Sequence, residues 1–105
     1  MTSDSLNLER NEVRIIGRIS EFNLGADYNK RGSVVMMTVV TKKKVVNGDV
    51  EYLDTAVIPV TILEAAPLLA SRDLKVGDIV SLEGRIRTFG GDCRFDVYAT
   101  KIEKL

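Results

Sequence analysis

The side chains of this chain that could act on a partner are cations and aromatic rings. The cations are Lys42, Lys43 and Lys44 in one run, Lys30 and Arg31 in another, and Arg85, Arg87 and Arg94 further on. The rings are Tyr28, Tyr52 and Phe89, with Tyr98 a further candidate whose face could equally be an interface. Together they suit a non-covalent task, in which cations follow a polyanion backbone and flat rings stack on bases. Phe89 is the best stacking candidate. It stands two residues after Arg87 and beside Gly90-Gly91, where a large ring is poorly buried. Its alternative is packing over a barrel end or in a subunit interface, and the lysine run has the alternative of a merely soluble hairpin end. Phe22 and Phe95 are read as core.

Bond-making chemistry lacks its usual parts. General acid–base work favours a histidine or a carboxylate of raised pKa, and the chain has no histidine. The pairs Glu51/Asp54 and Asp92/Asp96 read as solvated surface. The lone Cys93 permits neither an internal disulfide nor a Cys/His metal site and reads as a half-buried strand residue. No glycine motif of the phosphate-cradling type is present. Neither a cofactor, a metal nor a small-molecule substrate is expected, and the protein is read as non-enzymatic.

At 105 residues the chain has room for one domain with a small core. Fifteen basic and fifteen acidic residues cancel. Bulk charge therefore cannot attract a polyanion, and any grip on one needs the cations gathered in a single concave track. No run reaches the roughly 18 apolar residues that span a membrane, and no signal peptide is recognisable. The expected compartment is the cytoplasm.

The elements that must position these residues follow from period and punctuation. Residues 1–10 read as a flexible arm and 11–105 as the folded domain. Asn11–Ser20 alternates as a strand, with Val13, Ile15, Gly17 and Ile19 on one face, and Glu21–Ser33 reads as a loop or irregular hairpin. Val34–Lys44 is rich in Val and Thr and apolar on both faces at its start, which predicts a centrally buried strand. Asn47-Gly48 is a strong hairpin signal. Tyr52–Ile62 is the return strand, and Pro59 makes it an edge or a bulge there. Leu63–Asp73 is the only helical candidate. Val76-Gly77-Asp78 reads as a tight turn. After it Val80, Leu82, Gly84, Ile86 and Thr88 alternate with Ser81, Glu83, Arg85 and Arg87, a half-buried strand with a cationic outer face. Gly84 marks a bend or a close backbone approach. Gly90-Gly91-Asp92 turns the chain into Cys93–Leu105. Five strands with one short helix between the third and fourth is the order of the all-β OB-fold barrel.

Three segments carry a resemblance to the bacterial single-stranded DNA-binding proteins, the SSB family. NEVRIIG at residues 11–17 is similar to the opening strand N-x-V-x-L-x-G. KVGDIVSLEGRIRT at 75–88 is similar to K-x-G-x-x-V-x-V-E-G-x-L-R-T. Val34–Lys44 and its charged hairpin stand where that family has its long hairpin. Ile58-Pro59-Val60 is also similar to the smaller dimeric primosomal replication protein. The resemblance implies an OB domain that binds single-stranded DNA in replication, recombination or repair and assembles as a homodimer or homotetramer. An assembly module with weak nucleic-acid binding is the second reading, and RNA is an open alternative partner because every base has a stacking face. The stacking tryptophans of the family correspond here to Val45, Thr55 and Thr61, and the chain has no Trp. Weaker, more salt-sensitive binding is therefore expected. No acidic tip follows Leu105, so recruitment of partners through such a tail is not expected.

Overall fold

In the computed structural model the described residues are 9–24, 34–62, 73–89 and 94–105, without the side chains of Leu24 and Phe89. They form five strands: β1 (Val13–Leu24), β2 (Val35–Asn47), β3 (Val50–Ile62), β4 (Ile79–Phe89) and β5 (Arg94–Lys104). The sheet closes on itself in the order β1-β2-β3-β5-β4. The helical candidate 63–73 falls almost wholly outside the described residues, as do most of the arm, at 1–8, and Cys93.

β1 closes the sheet by serving two neighbours. Val13–Arg18 pairs antiparallel with β4, and Arg18–Leu24 pairs with β2. The strand therefore runs on through Glu21–Leu24, which fits the irregular hairpin rather than the loop of the two readings the sequence allows. A bulge between Ile19 and Glu21 adds a residue and re-aims the chain. Gly17 is required at the hand-over, because a Cβ there would lie 2.6 Å from Val39 Cγ1 and 2.8 Å from the Val40 carbonyl. Gly84 has the same role where β4 meets a second bulge, since a Cβ would run into the Tyr98 carbonyl.

The core sits on the inward alternation. Ile19, Val35, Val39, Val60, Ile62, Val80 and Leu82 are fully buried, and Met37, Leu74, Val97, Ala99 and Ile102 complete the cluster. Each such aliphatic side chain contributes about 1.5–3 kcal/mol by leaving water. The turn before β4 forms as its residues dictate. Gly77 has φ +99°, the Lys75 amide donates to Asp78 Oδ2 at 3.0 Å, and the Asp78 amide donates to the Lys75 carbonyl at 3.1 Å. Gly48 with φ +64° turns β2 into β3, flanked by the pair Asn47↔Val50. Pro59 lies in an unbroken β2–β3 register one residue before the short β3–β5 ladder, Val60↔Val97 and Thr61↔Tyr98, so it marks an open edge without a bulge.

Two expectations about burial fail because of the shape of the closed sheet. Met36 is 46 % exposed, because a strand in a single closed layer buries only its inward face. Phe95 is 55 % exposed rather than core. β1 stops pairing at Val13↔Gly84, so beyond Gly84 no described strand pairs the other edge of β4, and Ile86, Thr88 and Phe95 stay exposed. Phe22, by contrast, packs against the core cluster. Asp96, read as solvated, is buried. Asn11 extends β1 with its side chain. Its Nδ2 donates to the Ile86 carbonyl at 2.7 Å, and the Ile86 amide donates to its Oδ1 at 2.9 Å.

Candidate nucleic-acid interface

The β2–β3 ladder runs unbroken from Val35↔Ile62 to Asn47↔Val50. β1 leaves β2 at Val40, and β5 pairs β3 only at Val60 and Thr61. From Thr41 to Val57 the two strands therefore project as a ribbon wetted on both sides. Strand alternation puts Lys42 and Lys44 on the outward face and Lys43 on the other, opposite Asp54. Lys44 Nζ meets Glu51 Oε1 at 3.2 Å with both side chains mostly exposed, a pair worth little in water. Lys42 and Lys43 have no ion pair among the described residues. Tyr52 stands across from Val45 and is 53 % exposed.

The second group of cations belongs to β4. Arg85 lies opposite Tyr98, and Arg87 opposite Asp96. Both guanidinium carbons stand over the Tyr98 ring, at 4.7 Å and 4.8 Å from its centroid. Arg87 donates to Asp96 through Nε at 3.1 Å and a terminal nitrogen at 2.9 Å, and Thr61 Oγ1 donates to the same carboxylate at 2.7 Å. Burial pushes the Asp96 carboxyl upward, but the Arg87 hydrogen bonds, the Thr61 hydroxyl and the Arg87 charge outweigh it and hold it below the usual range. The same hydrogen bonding raises Arg87, against the opposing effect of its own burial. Among the described residues no buried side-chain polar atom lacks a partner.

Of the sequence-predicted site residues, Lys42, Lys43 and Lys44 share the hairpin, with Tyr52 beside them, and Arg85 and Arg87 converge on one ring. Arg94 starts β5, exposed, across from Phe89. Tyr28, Lys30, Arg31 and the Phe89 side chain lie outside the described residues. The sequence-predicted cations among the described residues thus fall into a hairpin group and a β4 group, with Arg94 at the start of β5, and not into one continuous track; in the strand order β3 and β5 lie between the two groups. That intervening surface is largely apolar. Val57 is 66 % exposed, and a hollow of about 290 Å³ is lined by Met36, Thr38, Pro59 and Thr61, with Glu21 and Asp96 also on its lining. A larger hollow of about 670 Å³, between β1 and β2, has Arg18 and Lys42 on its lining with Ile16, Val40 and Ile79. Sequence reasoning missed Arg18, Met36 and the Thr61–Asp96–Arg87 link. The signal for its Arg87–Asp96 half was present, since the turn expected from Gly90-Gly91-Asp92 would set Arg87 against Asp96, the register that β4 and β5 adopt.

Solved structures share this arrangement of strands. The small single-stranded DNA-binding protein of Streptomyces coelicolor is similar with a TM-score of 0.70 at 19 % identity, over 92 % of this chain and 96 % of that one. The Plasmodium falciparum SSB, solved in complex with ssDNA, is similar with a TM-score of 0.76 at 13 % identity, over 92 % and 96 %. The fold is the SSB-type OB fold. PriB of Ralstonia solanacearum has the same fold to nearly the same degree, with a TM-score of 0.69 at 9 % identity over 91 % of this chain and 98 % of that one. No protein-family model and no curated protein matches the sequence.

Proposed function

We propose that this protein is a non-enzymatic, cytoplasmic single-stranded DNA-binding protein that holds exposed strands during replication, recombination or repair. The observation that carries the reading is the placement of cations on either side of an exposed apolar sheet face. The backbone of a strand would be held by Lys42 and Lys44 at one end, with Lys43 reaching it from the ribbon's other face, and by the cluster that Arg85 and Arg87 form on Tyr98 at the other. Its bases would lie over Val57, Pro59 and Met36 between them. Lys30, Arg31, Arg94, Tyr28, Tyr52 and Phe89 are the remaining residues proposed to meet the strand. The domain responsible is residues 11–105, with 1–10 as an arm.

Aliphatic side chains are poorer stacking surfaces than rings, and a base on an aromatic is worth roughly 1–3 kcal/mol. Phosphate contacts therefore carry most of the affinity, which makes it steeply salt-dependent. The test is fluorescence anisotropy of a labelled oligo-dT across a salt series, with an oligo-rU and a duplex of equal length as further arms. Preference for dT over duplex supports the reading, and equal affinity for both overturns it.

A homodimer or homotetramer is proposed on the open edge of β1. Over Val13–Gly17 that strand pairs with β4 alone, and Ile16 beside it is 59 % exposed. An unpaired edge of this kind favours joining a second copy, which light scattering in solution measures directly. A second reading, an OB assembly module with weak nucleic-acid binding, is favoured by the near-equal likeness to PriB. It gains if the oligomer forms and the strand preference is absent.

A further inference from the structure

The two arginines on Tyr98 are not equivalent. Arg87 is committed to Asp96 by two hydrogen bonds, its side chain is one-third exposed, and the carboxylate it holds is only 7 % exposed. A phosphate reaching for Arg87 would compete with a partner that is bidentate, close and mostly dry. Arg85 is exposed, and among the described residues its guanidinium meets no carboxylate and no hydrogen-bond acceptor, only the ring. Both cations are drawn to the ring's electron-rich face. Two like charges on one ring would repel, but the anion at Arg87 cancels most of that. A guanidinium already resting on a ring has less freedom to lose when it binds, and its donors remain open.

We propose that Arg85 is the group that contacts a phosphodiester of the bound strand, that Tyr98 is its mount, and that the Arg87–Asp96 pair braces the mount without touching the strand. The proposal rests on the single-strand reading above and divides the work within it. Tyr98 and Asp96 are then positioning residues, and the division predicts which charge the salt dependence will register.

The experiment measures oligo-dT affinity of the full chain across a salt series for Arg85→Gln, Arg87→Gln, Tyr98→Phe and Tyr98→Leu, each checked by circular dichroism for cooperative melting. One lost phosphate contact on a single strand lowers the slope of log K against log salt by about 0.7. Arg85→Gln is expected to show that loss and to bind about tenfold more weakly at low salt. Being exposed, it should melt like the wild type. Tyr98→Phe keeps the ring and should keep both affinity and slope. Tyr98→Leu should reproduce most of the Arg85→Gln defect and add nothing to it in the double variant. Arg87→Gln should leave the slope unchanged. A wild-type slope in Arg85→Gln overturns the assignment, as does a loss of about 0.7 in Arg87→Gln or an additive double variant. If the wild type itself does not prefer the single strand, the functional reading falls and the assignment with it. If the wild type does prefer it and Arg85→Gln keeps the wild-type slope, only the assignment falls.

Discussion

Replacing Asp96 with Asn keeps the shape of the side chain and removes its charge. The carboxylate takes hydrogen bonds from Thr61 at 2.7 Å and from Arg87 at 2.9 and 3.1 Å. Breaking a fully buried ion pair by removing one partner costs about 3–5 kcal/mol, while exposed pairs are worth about 0–1 kcal/mol. Asp96 is nearly buried, but one-third of the Arg87 side chain is exposed and can regain water. The cost of Asp96→Asn should therefore fall between, at about 2 kcal/mol or about 10 °C in Tm for a domain of this size. Arg87→Gln should cost more, about 3 kcal/mol, because it strands the buried anion rather than the half-wet cation. The double variant should recover part of the sum. Urea unfolding at neutral pH with an unchanged m-value is the assay. The pH dependence has a fixed sign. A carboxyl lowered in the folded state stabilises above its unfolded pKa of about 3.9, and that contribution disappears as the pH falls through the folded value. The gap between wild type and Asp96→Asn should thus narrow below about pH 4. An Asp96→Asn variant within about 0.5 kcal/mol of wild type, or one that loses more than Arg87→Gln, would refute the reasoning.

Other expectations follow from single positions. Leu82→Ala removes a fully buried side chain and should cost about 2–5 kcal/mol in denaturant unfolding. Gly84→Ala forces the β4–β5 backbones apart at Tyr98 and should cost at least about 1–3 kcal/mol, with faster hydrogen exchange along that ladder. Replacing Lys42 and Lys43 together by Ala should lower the salt slope of oligo-dT binding by about 1.4 with little change in melting, since both are exposed and without an ion pair among the described residues.

Much of this fold could be read from local residue chemistry. The alternation Val80, Leu82, Gly84 names the inward face of β4, and Asn47-Gly48 and Val76-Gly77-Asp78 mark turns whose glycines do adopt positive φ. Such features depend on a few neighbouring residues. What escaped reading depends on distant ones. β1 continues to Leu24 because β2 is there to pair with it, and Phe95 is exposed because β1 ends short of its level. Asp96 is buried because Thr61, on a strand 35 residues away, closes over it. Half of the candidate site was visible as residue types. Its division into a hairpin group and a ring-mounted group required the register of β4 against β5.

The double allegiance of β1 also dictates an order of assembly. The hairpin of β2 and β3 joins residues nearby in the chain and can zip within microseconds from Gly48. Val13 must instead find Gly84, with most of the molecule between them. Closing so long a loop is entropically the hardest event, and it yields no reward until both ends arrive. Ring closure by β1 should accordingly come late and limit the folding rate, after the β2–β3 hairpin has formed.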